Sequence, residues 1–105
     1  LKSNIFIRDS FVTIFKSGGG VRKHSHINNF DILLKCGYRK LSLVYYLSIG
    51  DQDCEDPGIL KLYNPNKEIL PTDGMIIIFP ADRLHSASYS GKKDRIVVGV
   101  NFYIL

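Results

Sequence analysis

The side chains able to do chemistry in this 105-residue chain are few: three histidines, His24, His26 and His85, and one arginine, Arg95, at the head of a β-branched run. His24-Ser25-His26 is an i, i+2 pair. Side chains alternate along an extended segment, so both imidazoles emerge on one face with Ser25 turned away. Two imidazoles side by side, joined by a third from His85, suit Fe, Zn, Cu or Ni. The plainer reading is two solvent-facing histidines on an edge strand. His85 follows the apolar run 75–79, and Arg95 comes ten residues after it. The pattern therefore predicts two neighbouring strands of an apolar sheet that deliver one histidine and one arginine. A buried charge is costly unless paired. A guanidinium keeps its proton and grips a carboxylate at two points, which gives Arg95 an anion to hold.

The elements that must position these groups read as strands. Residues 4–7 and 11–15 are short apolar runs split by the turn signal Arg8-Asp9-Ser10. Ser17-Gly18-Gly19-Gly20 lacks the following Lys-Ser/Thr and helix of a phosphate loop, so a flexible turn is expected. Residues 21–27 form the extended carrier of His24 and His26. Residues 28–37 allow one helical turn or an irregular loop, and Asn28-Asn29 favours the loop. Residues 41–47 are dense in strand formers, with Ser42, Val44 and Tyr46 on a slightly polar face that suits a pocket wall. Asp56-Pro57-Gly58 is a turn, and residues 59–63 are a further strand. The run 75–79, opened by Asp73-Gly74 and stopped by Pro80, has the length of a strand buried on both faces. In the last segment Arg95, Val97, Gly99 and Asn101 share one face. About eight strands without a long helix define an all-β sandwich or rolled sheet.

Length and composition set bounds on this reading. Residues 1–105 are expected to form a single domain, burying roughly 60–70% of the surface of the unfolded chain. Hydrophobic residues at 45% and charged residues at 23% are ordinary globular values and argue against disorder. No apolar run approaches the roughly 20 residues of a membrane span, and no signal peptide opens the chain, so a cytoplasmic protein without membrane partners is expected. Cys36 and Cys54 have no metal-ligand spacing and read as reduced thiols. The net charge of +4 comes from scattered pairs such as Arg22-Lys23 and Lys92-Lys93, not from a continuous stripe, which disfavours nucleic acid as a partner. The first residue is Leu1 rather than Met, which is compatible with N-terminal supporting helices lying outside the chain.

With these elements in place the chain resembles the 2-oxoglutarate and Fe(II)-dependent oxygenases. The likeness is to the branch that includes prolyl-4-hydroxylase-like proteins and oxygenases of bacteria and phages. The residues that carry it are Lys-His24-Ser-His26, Leu-Ser-Leu-Val-Tyr-Tyr46-Leu, Pro57-Gly58-Ile-Leu-Lys-Leu-Tyr, Leu70-Pro-Thr-Asp-Gly74 through Phe79-Pro80, His85-Ser and Arg95. The resemblance implies a double-stranded β-helix of jelly-roll, cupin-like form. It implies Fe(II) held by His85 together with the first motif, and 2-oxoglutarate whose far carboxylate is held by Arg95 with a hydroxyl from Tyr46. The implied reaction is oxidative decarboxylation to succinate coupled to hydroxylation of a substrate, either a small molecule or a protein side chain. The family's first motif is His-x-Asp or His-x-Glu, whereas this chain has His24-x-His26. The metal set is therefore three histidines, two with a water, or two with Asp31. Two other readings remain: a three-histidine, cupin-like metalloenzyme that uses no 2-oxoglutarate, and a noncatalytic jelly-roll binding module. A homo-oligomer formed through an exposed edge strand is also expected.

Overall fold

The computed structural model describes residues 4–105. Eight strands, β1 (Ile5–Phe15), β2 (Gly19–His24), β3 (Lys40–Ser48), β4 (Leu60–Leu62), β5 (Lys67–Ile69), β6 (Ile76–Pro80), β7 (His85–Tyr89) and β8 (Arg95–Ile104), are joined by one short helix, α1 (Asn29–Leu33), and a 3-10 turn at Gly37–Arg39. They form two four-stranded sheets in the orders β1-β8-β3-β6 and β2-β7-β4-β5. All pairings are antiparallel. The chain crosses between sheets at almost every connection, so residues from both walls face one interior. That is the jelly roll expected from the strand count. Leu60, Leu62 and Phe79 form the core, with Val44, Ile69 and Ile77 packed against them. Among the described residues no helix is long and apolar enough to cross a membrane.

The alternation in the two central strands works as the sequence predicts. In β8 Arg95, Val97, Gly99 and Asn101 are buried while Ile96, Val98 and Val100 are only partly covered. In β3 Ser42 and Tyr46 point inward. Ser42 pairs in register with Asn101, and its Oγ donates to Asn101 Oδ1 at 2.7 Å.

Four local expectations are corrected. Arg8-Asp9-Ser10 is no turn: β1 runs unbroken against β8, with only a bulge between Ile7 and Asp9, because a long partner ladder outweighs local turn preference. The run 75–79 is not buried on both faces. Its strand β6 lies at a sheet edge, with Ile76 and Ile78 about half exposed and Phe79 in the core, since this antiparallel sheet is packed on one side. Asn28 does not favour a loop; it caps α1, accepting from the Asp31 amide while the Asp31 carboxylate accepts from the Asn28 amide. Finally, Gly19 and Gly20 belong to β2 rather than to a flexible turn. A Cβ on Gly20 would lie 2.6 Å from the Ala87 carbonyl oxygen, so glycine lets β2 approach β7.

Candidate functional site

His24 ends β2 and lies directly across from His85, the first residue of β7, because the antiparallel register pairs these two positions. His26 lies two residues beyond the strand, where its amide donates to the Ala81 carbonyl at 2.7 Å. One ring nitrogen from each of the three imidazoles falls within 4.8 Å of the others. The sequence pairs His24 and His26 on one strand face; the structure brings them together by a strand end and the bend that follows it.

The ring orientations have identifiable causes. His24 Nδ1 lies 2.6 Å from the Arg22 carbonyl oxygen, and His85 Nδ1 lies 3.0 Å from that of Arg83. A carbonyl only accepts, so each Nδ1 carries the proton and each Nε2 presents its lone pair to the interior. His26 Nε2 and His85 Nε2 are 3.1 Å apart. Two nitrogens each about 2.1 Å from one ion and at right angles around it would be separated by roughly 3.0 Å. Burial, and after it the neighbouring His85 and His24, lowers the His26 pKa to about 4. Burial also lowers that of His85, against the hydrogen bond to the Arg83 carbonyl. Both rings are thus neutral at pH 7, the form that ligates a metal. Donor type, protonation and the separation of His26 from His85 fit a divalent transition metal.

Arg95 lies on the other wall. The sequence expectation of two strands of one sheet is corrected here: His85 is on β7 and Arg95 on β8, which belong to different sheets and face one another across the interior. Arg95 is 3% exposed. Its Nη1 and Nη2 donate to the carbonyls of Pro57 and Gly58 at 3.1 and 2.9 Å. Its guanidinium carbon sits 5.0 Å from the centre of the Tyr46 ring and 5.6 Å from that of Tyr89. Among the described residues no carboxylate lies within ion-pair distance of it. Burial pushes the Arg95 pKa down and that of Tyr46 up, in both cases against their mutual attraction. Arg95, Tyr46 and the three histidines line one cavity of about 120 Å³, which Ser42 and Asn101 also border.

The sequence assigns no site role to Pro57-Gly58 or Tyr89. Pro57-Gly58 reads as a turn, yet its carbonyls seat Arg95. A Cβ on Gly58 would fall inside the guanidinium. Tyr89 carried no signal beyond a strand-forming aromatic. Asp31 is not brought to the imidazoles; both of its oxygens are engaged, by Lys40 and the Asn28 amide on one side and by the Tyr103 hydroxyl on the other. Arg83 is tied to the carbonyls of Tyr63 and Pro65. Cys36 and Cys54 are free thiols.

A jelly roll with imidazoles clustered on one wall and a buried guanidinium on the other defines the general class of cupin-like and oxygenase folds. The family described as "2OG-Fe(II) oxygenase superfamily" matches residues 11–103, and the chain belongs to it. Among solved structures it is similar to an oxidoreductase of the 2OG-Fe(II) oxygenase family from Burkholderia pseudomallei, with 14% identity and a TM-score of 0.74 over 98% of this chain and 47% of that one. A prolyl-4-hydroxylase from Pseudomonas putida is similar at 20% identity and a TM-score of 0.67, over 90% and 50%. A cupin protein from Bacteroides fragilis is similar at 15% identity and a TM-score of 0.58, over 90% and 64%. The chain thus spans about half the length of the two oxygenases. No curated protein matches the sequence.

Proposed function

We propose that the chain is a 2-oxoglutarate- and Fe(II)-dependent dioxygenase domain that hydroxylates a small molecule or a protein side chain. His24, His26 and His85 would hold the metal through their inward nitrogens, and Arg95 with Tyr46 would hold the far carboxylate of 2-oxoglutarate. When bound, iron would supply the activation of dioxygen that couples decarboxylation of the cosubstrate to hydroxylation. The chain's own share is binding and exclusion: Arg95 neutralises the carboxylate, and the apolar walls keep water from the reacting centre. Cytoplasmic location and self-association belong to the same reading.

The observation that carries it is the buried guanidinium that finds no carboxylate among the described residues, in the cavity that the histidines line. A metal site alone gives such a charge no purpose, whereas a dicarboxylate cosubstrate pairs it. Purified protein loaded with Fe(II) is expected to convert 2-oxoglutarate to succinate slowly even without substrate. Iron-loaded, folded protein that neither binds nor decarboxylates 2-oxoglutarate would overturn the proposal.

A three-histidine metalloenzyme without 2-oxoglutarate is the second reading, favoured by His26 standing where the family's first motif has a carboxylate. It predicts metal binding that is intact, with no affinity for 2-oxoglutarate and no effect of Arg95→Ala on turnover.

A further inference from the structure

The pair Asp31–Lys40 is among the least exposed parts of the molecule, at 1% and 3%, and the chemistry proposed above makes no use of it. Lys40 Nζ donates to Asp31 Oδ2 at 2.8 Å. The same ammonium donates to the main-chain carbonyl of His26 at 2.7 Å. The His26 amide donates to the Ala81 carbonyl, and the Ala81 amide in turn donates to the Lys40 carbonyl at 3.1 Å. The peptide units on both sides of His26 are therefore fastened to the head of β3, one directly and one through Ala81.

This matters because His26 differs from its two companions. His24 and His85 are placed by strand register, and each ring is further oriented by a carbonyl two residues earlier in the chain. His26 lies outside β2, and among the described residues its only ring hydrogen bond runs to His85. Its position must come through the main chain, and the main chain is held by Lys40.

We propose that Lys40, aligned by Asp31, is the positioning residue for His26, setting the third imidazole where it completes a metal site with His24 and His85. The proposal rests on the metal-site reading given above. A buried ammonium reaching a carbonyl needs a counter-charge, and Asp31 supplies it from α1. The capping interactions of Asn28 and the Tyr103 hydroxyl fix Asp31 in turn. The residue considered from sequence as a fourth candidate ligand thus acts two steps behind a ligand.

The test is Co(II) titration, followed by absorption spectroscopy of the bound ion, in the wild type and in His26→Ala, each with and without changes at the pair. Asp31→Asn/Lys40→Met removes both charges and the donor together, so no unpaired buried ion remains. It is expected to weaken Co(II) by about 10- to 100-fold, the usual effect of losing support behind a ligand. In the His26→Ala background the same double change should have no further effect. Lys40→Arg keeps the ion pair while its wider fork displaces the His26 carbonyl. It should shift the Co(II) spectrum of the wild type but not that of His26→Ala, and it serves if the double variant does not fold. Unchanged affinity and spectrum, or changes of equal size in the His26→Ala background, would overturn the positioning role while leaving the metal site intact. Wild-type protein that binds no Co(II), or binds it as well without His26, would overturn the metal reading itself and this proposal with it.

Discussion

At the scale of single residues the deciding group is Arg95. A guanidinium cannot shed its proton, and two carbonyls and two aromatic faces compensate its burial only in part. Arg95→Met keeps much of the volume and removes the charge. Truncating one partner of a buried charge pair costs about 2–5 kcal/mol of binding, so 2-oxoglutarate affinity should fall by roughly 30- to 1,000-fold or more. Without cosubstrate the variant should melt at the same temperature as the wild type or higher, because a buried charge compensated only in part has gone. Calorimetric titration and thermal denaturation read the two effects separately. His26 decides a different property. Three imidazole ligands leave the full divalent charge on an ion and suit Fe, Zn, Ni and Cu, whereas a carboxylate adds preference for Mn. His26→Asp is therefore expected to raise the ratio of Mn(II) to Ni(II) affinity by about tenfold or more, a shift of at least about 1.4 kcal/mol, measured by competition with a chelating dye.

Elements place these residues, and two connections matter most. The turn before β4 brings Gly58 against Arg95 with φ of +84°, in the left-handed region where a side chain costs about 1–2 kcal/mol. Gly58→Ala should therefore lower stability by at least that amount and, by pushing the guanidinium aside, weaken 2-oxoglutarate while sparing Co(II) affinity. Equal loss of both ligands would indicate general disruption instead. The second connection is α1. Burial raises the Asp31 pKa, but hydrogen bonds from Lys40, Tyr103 and the Asn28 amide outweigh it and hold the carboxyl below its ordinary value of 3.8. On the other side of that bond, burial and then Asp31 itself push Tyr103 up to about 12. A depressed carboxyl contributes stability that is whole above pH 3.8 and lost as pH falls through the folded value. Denaturation profiles of metal-free protein should thus steepen below about pH 3.8, and Asp31→Asn should flatten that limb. These two connections also mark where the sequence was hard to read. Strand alternation in β3 and β8 was legible because a face turned inward must repeat every two residues. Asn28 reads as a loop residue because a cap and a loop use the same residue types, and only the reciprocal bond to Asp31 separates them. Arg8-Asp9-Ser10 reads as a turn because its pairing with β8 spans nearly the whole chain, beyond any local signal. The role of Lys40 depends on three segments meeting, which no spacing encodes.

At the scale of the whole molecule the two faces of the larger sheet differ sharply. Its inner face lines the cavity; its outer face is apolar and bare. Register aligns Val12 with Val98, Val98 with Tyr45, and Tyr45 with Ile76, so one hydrophobic row crosses all four strands. Val12, Ile14, Ile76 and Ile78 on this face are each more than half exposed. Contiguous apolar patches of this kind are uncommon on monomers and mark contact surfaces. β1 compounds the effect, since it is an edge strand of eleven residues with Ile5, Phe6 and Ile7 also exposed. Edges of that length pair readily with another chain unless charge interrupts them, as Arg8 and Asp9 do at the bulge, which leaves residues 10–15 as the stretch free to pair. A net charge of +4 is too small and too scattered to keep copies apart. The isolated chain should therefore self-associate at micromolar concentration, as sedimentation velocity would record. Val12→Lys/Ile76→Glu places opposite charges on the outer row without touching the cavity. It is expected to shift the distribution toward monomer while leaving Co(II) and 2-oxoglutarate affinities within about twofold, a difference of about 0.4 kcal/mol. Association unchanged by that variant but abolished by a charge on the rim of β1, such as Ser10→Lys, would assign the contact to the strand edge instead of the sheet face.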